Sequence, residues 1–256
     1  MIRAAVRAAP NLPRTAPLHR HLPAGTWGRE WLSTLGRPRA LAMRVLVPLL
    51  LTVPLVIGGA PTFWAGMLLT VLVAMTGAVG SGVTLARARS GGLLARLALV
   101  PRPAHRVLGG WVCAAAGVDF MQLLPSVIVV VAARAPTPLD TAALFVSVAA
   151  ALLVTNTLGC AVAAISGGTG EVLLDVGIVL APLLFLGGLF TGVPAEGWRH
   201  VAAAVDPFGA LHAAFIAALG GSPSFASWHV LACSCAWILG SLAGLALISR
   251  VLLDRA

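Results

Sequence analysis

The side chains that could do chemistry are few, and the clearest are polar groups inside long apolar runs. Asp119 lies in the apolar stretch 107–132, Gln122 follows it by about one helical turn, and Asn156 lies in another such stretch. The helical rise of about 1.5 Å per residue places Asp119 near the middle of its stretch. A carboxylate at that depth in a membrane is costly, which makes it a candidate for lining a substrate path. The alternative is structural: Asp119 is protonated, or bonds Asn156 or Thr155, and fixes helix packing.

A second group of candidates lies in the loop 86–106. It reads ARARSGGLLARLALVPRPAHR, so that leucines interleave with Arg89 and Arg96 and the segment ends at Pro101 and Pro103. This pattern predicts a short basic amphipathic helix. On the arginines alone, one interpretation is a helix that lies on anionic lipid.

Two acidic residues stand four apart, Glu171 and Asp175, just after a glycine-rich turn at 166–170. Acids in the first turn of a helix interact favourably with its dipole, and Thr169 is the predicted N-cap. This structural account explains both acids; contact with a partner protein is the alternative.

Several kinds of chemistry lack the residues they need. All 17 basic residues are arginine, which excludes a Walker A lysine and a Schiff-base lysine. The triplet Gly80, Ser81 and Gly82 is not a nucleophile elbow, because Val79 and Val83 stand where that motif has glycine. The four cysteines lie in apolar runs without CxxC spacing. We therefore expect no catalytic site, no metal site and no cofactor on this chain.

The composition indicates a membrane protein. Of 256 residues, 59% are apolar and 10% are charged, against roughly 25% charged in a soluble domain. The net charge of +9 does not indicate a nucleic-acid partner, because so little polar sequence is available to build a basic binding surface. Membrane lipids are the expected surroundings.

Six apolar stretches have about the length of a bilayer-spanning helix. They are 41–59, 63–85, 107–132, 140–165, 172–192 and 228–250. Pro48 and Pro54 interrupt the first, which remains a span because neighbouring helices can satisfy the freed carbonyl groups. The predicted fold is therefore an all-α polytopic membrane protein with six transmembrane helices.

The remaining segments complete this plan. Residues 1–25 are a predicted disordered cytoplasmic tail, and 26–256 form one transmembrane domain. The spacing of Trp27, Trp31 and Leu35 predicts an N-terminal amphipathic helix in the headgroup region, with an unstructured continuation of the tail as the alternative. Between spans five and six, 193–227 is predicted to form a short outer-face excursion with a helix near 208–219.

The arginines predict an orientation. With both termini in the cytoplasm, 15 of the 17 arginines fall on the inner side and only Arg134 and Arg199 on the outer side, as the positive-inside rule requires. Together with the alanine, glycine and arginine bias, this predicts a multi-pass protein of the bacterial inner membrane. The pairs Gly188/Gly192 and Gly240/Gly244 have the small-xxx-small spacing that allows close helix packing.

Two motifs follow each other along the chain. The residues of the first are Arg89, Gly92, Leu93, Leu94, Arg96, Leu97, Pro101 and Arg106. The residues of the second are Pro182, Phe185, Gly187, Gly188, Phe190, Pro194, Trp198, Asp206 and Pro207. Both resemble motifs of one family, the ABC-2 type permeases of ATP-binding-cassette transporters, and within it the daunorubicin-resistance type of exporter subunit. That family commonly has a motif like ERxxGLLxRLxxxPxxR after its second span. In its last two spans it has an apolar run with Pro, Phe, a small pair, Phe and Pro, followed by a Trp and an (N/D)P pair. Ala88 and Ala95 stand where the family usually has Glu.

The resemblance implies a permease that exports a hydrophobic small molecule, an antibiotic or other drug or a lipid, from the cytoplasm or inner leaflet. It implies two copies of a separate ATPase, which carries ATP and Mg²⁺, and a second permease chain, identical or related. It also implies ATPase-coupling residues, namely Arg89, Gly92, Leu94, Arg96, Pro101 and Glu171. We further expect Arg89 and Arg96 to face acidic groups on that partner. The alternative is an ATP-independent transporter, proton-coupled through Asp119, or a membrane scaffold.

Overall fold

The computed structural model describes residues 38–92 and 104–254, with Gly28 and Gly36 as isolated positions. The predicted tail 1–25 and amphipathic N-terminal helix fall outside these residues. The described chain forms eight α-helices and no strand. They are α1 Pro38–Ile57, α2 Thr62–Ser90, α3 Ala104–Arg134, α4 Pro138–Ile165, α5 Thr169–Leu186, α6 Trp198–Val205, α7 Pro207–Ala218 and α8 Ser227–Asp254.

Long apolar helices dominate the fold. Five of them, α2, α3, α4, α5 and α8, are long and apolar enough to cross a membrane. The predicted first span corresponds to α1, whose apolar part Leu41–Ile57 is shorter. Helices α6 and α7 meet at a bend of 79°, as in a broken span or a re-entrant loop. The predicted polytopic helical membrane protein is confirmed at this level, and the count of six spans stays a prediction.

Helix α4 is the centre of the bundle. It packs against α2, α3, α5, α7 and α8, whereas α1 packs mainly on α3. Ser81 and Arg89 of α2 bond Asn156 and Ala163 of α4 in the same order along the two helices, so α2 and α4 run in the same direction. Helices α2, α4 and α8 begin at one end of the bundle. At that end Ser227 Oγ donates a hydrogen bond of 2.5 Å to Asp140 Oδ1. The other end, which carries Arg87, Arg89 and Arg106, is called the arginine-rich end below.

Glycines bring α2 and α4 into close contact. A methyl group on Gly159 would overlap the Ala78 carbonyl oxygen and Ser81 Oγ, and one on Gly77 would overlap Thr155. The proximity also allows Ser81 Oγ to donate to the Asn156 carbonyl oxygen across the two helices, at 3.0 Å. The glycines around Ser81 therefore serve helix packing.

The predicted glycine pairs do not pack helices together. Gly188 and Gly192 have φ of +78° and +73° and lie in the turn that follows α5, so span five ends at Leu186 and not near 192. A methyl group on Gly240 or Gly244 would meet no atom within 4 Å in the described chain. Spacing alone was wrong here because it does not indicate which helix face meets a neighbour.

The helix predicted near 208–219 is confirmed as α7, but it is not peripheral. Asp206 caps it by accepting hydrogen bonds from the backbone N–H of Phe208 and Gly209, at 2.7 and 3.3 Å. Nearly every α7 residue is buried against α2, α4 and α8. His212, which lies in the segment 193–227 predicted to be at the outer face, is 3% exposed, and its Nε2 lies 3.1 Å from the Phe63 carbonyl oxygen. Helix α7 thus returns into the bundle, whereas α6 keeps Trp198 and Val201 exposed.

We expect Gly159→Ala to destabilise the protein and Gly240→Ala to leave its stability unchanged or slightly raised. The added methyl meets backbone at Gly159 and open space at Gly240, while the helix-propensity change is the same. Overpacking costs about 1–3 kcal/mol, which lowers the thermal midpoint by about 2–10 °C. Thermal unfolding of the purified variants measures this, and equal midpoints would contradict close α2–α4 packing.

Candidate functional site

A cavity of about 390 Å³ lies where α1, α2 and α3 meet. Its polar lining consists of Arg44, Thr76, Asp119 and Gln122. Its apolar and glycine lining consists of Met43, Val47, Pro48, Leu72, Met75, Val79 and Gly80. The volume is within the range of small-molecule sites, and a few polar groups set in apolar walls are typical of them.

Asp119 is held at the wall of this cavity by α4. Asn156 Nδ2 donates to Asp119 Oδ2 at 3.1 Å and also to its own helix at the Leu152 carbonyl oxygen, at 2.9 Å. The carboxylate side chain is 5% exposed. The predicted bond between Asp119 and Asn156 is confirmed, whereas Thr155 donates back to its own helix. This contact fits the structural interpretation of Asp119 and equally orients the carboxylate beside the cavity.

Gln122 is a buried polar residue of the cavity wall that makes no side-chain hydrogen bond. It is 3% exposed, and neither of its amide atoms, Nε2 and Oε1, has a hydrogen-bond partner in the described structure. Asn156 Oδ1 and Ser126 Oγ are also buried without partners in the described structure, but neither residue lines this cavity. Each unpaired buried polar atom costs about 1–3 kcal/mol. A water molecule, or a ligand contacted through a rotation of the Gln122 side chain, would offset that cost.

Arg44 places a positive charge at the same cavity, a role that was not predicted from the sequence. Its side chain is exposed on α1 and also lines a smaller adjoining space of about 40 Å³ with Thr84, Trp111 and Asp119. In the sequence, Arg44 served only to predict orientation. Its position within the apolar stretch 41–59 was the signal that could have identified it.

Glycine at position 80 keeps this region open. A methyl group there would lie 4.0 Å from Asp119 Oδ2, so α2 presents backbone to the carboxylate. Gly80 also lines both spaces. A larger side chain at this position would occupy the volume beside Asp119.

Arg89 bonds the chain to itself at the arginine-rich end. In the last turn of α2, and not in a separate helix, its Nη1 donates to the Ala163 and Ala164 carbonyl oxygens, both at 3.1 Å. Its Nη2 donates to the Ser166 carbonyl oxygen at 2.5 Å. These carbonyl groups end α4 and have no partner within the helix, so the guanidinium satisfies them and stabilises the helix dipole.

The two predicted acids also lie at the arginine-rich end, and Arg89, Glu171 and Asp175 together are called the arginine-rich corner below. Glu171 Oε2 accepts from the Gly167 N–H at 2.5 Å, and Asp175 Oδ2 accepts from Ser166 Oγ at 2.5 Å. The predicted N-cap is wrong: Gly168 is the N-cap and Thr169 is already helical. Glu171 instead provides a hydrogen-bond acceptor for the turn before α5, because its side chain is long enough to reach back to the Gly167 N–H.

The other predicted coupling residues are only partly described. Gly92 follows α2 with φ of +68°, a conformation that favours glycine. Leu94, Arg96 and Pro101 lie outside the described residues. The cavity and the arginine-rich corner are thus separate sites, joined by α2 and α4.

Comparison with protein-family models, curated proteins and solved structures finds no match for this chain. The resemblance to ABC-2 permeases therefore stays a prediction from its motifs.

We expect Arg89→Ala to loosen the joint between α2 and α4, because three carbonyl groups lose a charged donor. The loss is about 1 kcal/mol in this exposed setting. Hydrogen exchange measures it directly: amides in 163–170 should exchange faster. Arg87→Ala, in the same helical turn and also exposed, is the matched control. Equal exchange in both variants would show that the three hydrogen bonds contribute nothing.

Proposed function

We propose that this chain is the membrane permease subunit of an ATP-driven exporter that moves a small molecule with a large apolar part. The observation that supports this is the cavity at α1, α2 and α3, which combines apolar walls with the buried, unpaired amide of Gln122. A bound ligand, contacted through a rotation of that side chain, would replace the missing hydrogen bonds.

The position of the cavity supports entry from within the bilayer. Met43 and Val47 line it and are 63% and 46% exposed on α1, so its edge continues into the lipid-facing surface. A hydrophobic molecule dissolved in the inner leaflet could pass from lipid to the cavity without crossing water. This favours a drug-like compound or a lipid over a sugar or ion.

The proposal assigns the energy source to partner chains. Two copies of an ATPase would hydrolyse ATP with Mg²⁺, and the loop 86–106 would bind them. The exposed faces of α5 and α8, whose spans are only 22% and 28% buried, leave surface for a second permease chain as well as lipid. Both termini would lie in the cytoplasm, and the arginine-rich end would face the cytoplasmic side of a bacterial inner membrane.

Helices α2 and α4 would carry the coupling. The C-terminal turn of α2 forms the first part of the segment 86–106, Arg89 in that turn bonds the end of α4, and α4 holds Asp119 through Asn156. A displacement of the loop would therefore reach the cavity wall through contiguous hydrogen-bonded groups. Alternating exposure of the cavity to the two sides then gives transport.

We expect a Walker-motif ATPase to accompany the chain when it is purified gently from its native membrane. Mass spectrometry of the complex and ATP hydrolysis measure this. Arg96→Glu should release the ATPase and lower hydrolysis, whereas Arg134→Glu, at the opposite end of α3, should not. Arg89 is unsuitable for this test because it stabilises its own chain. A solitary chain, or equal complexes from both variants, would overturn the ATPase proposal.

A proton-coupled transporter is the second candidate, because Asp119 is a protonatable group at a cavity wall. It predicts uptake or export driven by a pH gradient in liposomes that contain only this chain. Asp119→Asn should abolish that transport, while Asp140→Asn, at the opposite end from the arginine-rich corner, should preserve it. The exporter proposal instead predicts no transport without ATP and the partner.

A further inference from the structure

We propose that the cavity at α1, α2 and α3 binds a zwitterionic amphiphile, a molecule that carries an ammonium group and an acid group on one apolar body. The inference deepens the proposed function, since it takes the molecule bound here as the transported substrate. It rests on the charges, polar atoms and shape of the cavity described above.

Opposite charges line the same space. Asp119 on α3 and Arg44 on α1 both border the larger cavity and the smaller one beside it. The two formal charges of the lining therefore cancel, and Asp119 is only 5% exposed. A bound cation or a bound anion would add a net charge beside this buried carboxylate, which is expensive away from water. A ligand that carries both charges adds none.

The two charged side chains also differ in how they are held. Asp119 is fixed by Asn156 at 3.1 Å, so it offers a defined acceptor for an ammonium group. Arg44 is exposed, and its long side chain can follow an acid group toward the membrane interface. The ammonium is therefore expected deeper in the protein and the acid group nearer α1.

Gln122 fits the uncharged polar part of such a molecule. Its unpaired Nε2 and Oε1 are buried behind the cavity surface, and a rotation of the side chain would bring a donor and an acceptor to the same ligand. A carbonyl, ester or hydroxyl group next to the charged groups would satisfy them. Leu72, Met75 and Val79 on α2 then cover the beginning of the apolar body.

The volume sets the size of the part that is enclosed. At 390 Å³, the cavity lies near the lower end of the range for small-molecule sites, which is about 300–1,000 Å³. It therefore has room for a headgroup and the first part of a chain. The rest of a long chain would leave along the exposed Met43 and Val47 into lipid.

The test compares three labelled amphiphiles that share a dodecyl chain: dodecyl phosphoethanolamine, dodecylammonium and dodecyl phosphate. Scintillation-proximity binding to the full chain, purified in an uncharged maltoside detergent, measures them at trace concentration. We expect the zwitterion to bind at least about tenfold more tightly than either ion. A competing phosphatidylethanolamine distinguishes the source: displacement identifies a membrane lipid, and no displacement identifies a separate zwitterionic solute.

Variants test the charges one at a time. Arg44→Gln should remove the advantage of the zwitterion over dodecylammonium, and Asp119→Asn its advantage over dodecyl phosphate. Gln122→Leu should weaken dodecyl phosphoethanolamine and dodecyl phosphate, whose ester oxygens can bond the amide, and should leave dodecylammonium, which has no uncharged polar group, unchanged. Arg87→Gln, an exposed arginine away from the cavity, should change nothing. Because Arg44 is exposed, its replacement is compatible with folding, and the order of the probes on the unaltered chain needs no variant at all.

Three results would overturn the proposal. Dodecylammonium that binds as tightly as the zwitterion would make this a cation site. Equal binding of all probes to the unaltered chain and every variant would mean non-specific contact with lipid-like molecules. No saturable binding would exclude the site. Each measurement uses the isolated chain, so failure to find a partner ATPase overturns the proposed function without altering these outcomes.

Discussion

The close contact between α2 and α4 is the constraint on which the rest of the structure depends. Water is absent from the interior of a membrane, so helices associate there through close packing and interhelical hydrogen bonds. Gly77 and Gly159 permit that approach, and Ser81 then bonds the backbone of the facing helix. The same contact carries Asn156 to Asp119 and the end of α4 to Arg89. Helix packing, the cavity wall and the arginine-rich corner are consequences of one interface.

Polar groups in this bundle fall into two kinds. Most hydroxyl groups donate to a carbonyl oxygen of their own helix, as Thr52, Thr70 and Thr157 do. They add little to the chemistry of the interior because their bonding is complete. Gln122 and the second amide atom of Asn156 are different, since their hydrogen-bonding capacity is unused. The contrast separates residues that merely tolerate burial from residues available to a ligand.

The sequence predicted the long helices well because their signal is local. Runs such as 140–165 end within a few residues of α4 Pro138–Ile165, and Asn156 was one of the two partners that the sequence offered for Asp119. Burial of α7 and the close contact at Gly159 could not be predicted in this way. Both depend on which helix faces meet, and apolar periodicity is uninformative when every face of a helix is apolar.

The prolines of the bundle give the cavity walls unequal stiffness. Pro48 in α1 and Pro125 in α3 lack an N–H, so the carbonyl oxygens of Arg44 and Met121, four residues earlier, lose their helical partners. Helix α2, the third wall, has no interior proline and packs closely against α4. The chamber thus has one rigid side and two compliant ones. Its capacity can change through bending of α1 and α3, while the surface that anchors the bundle keeps its shape.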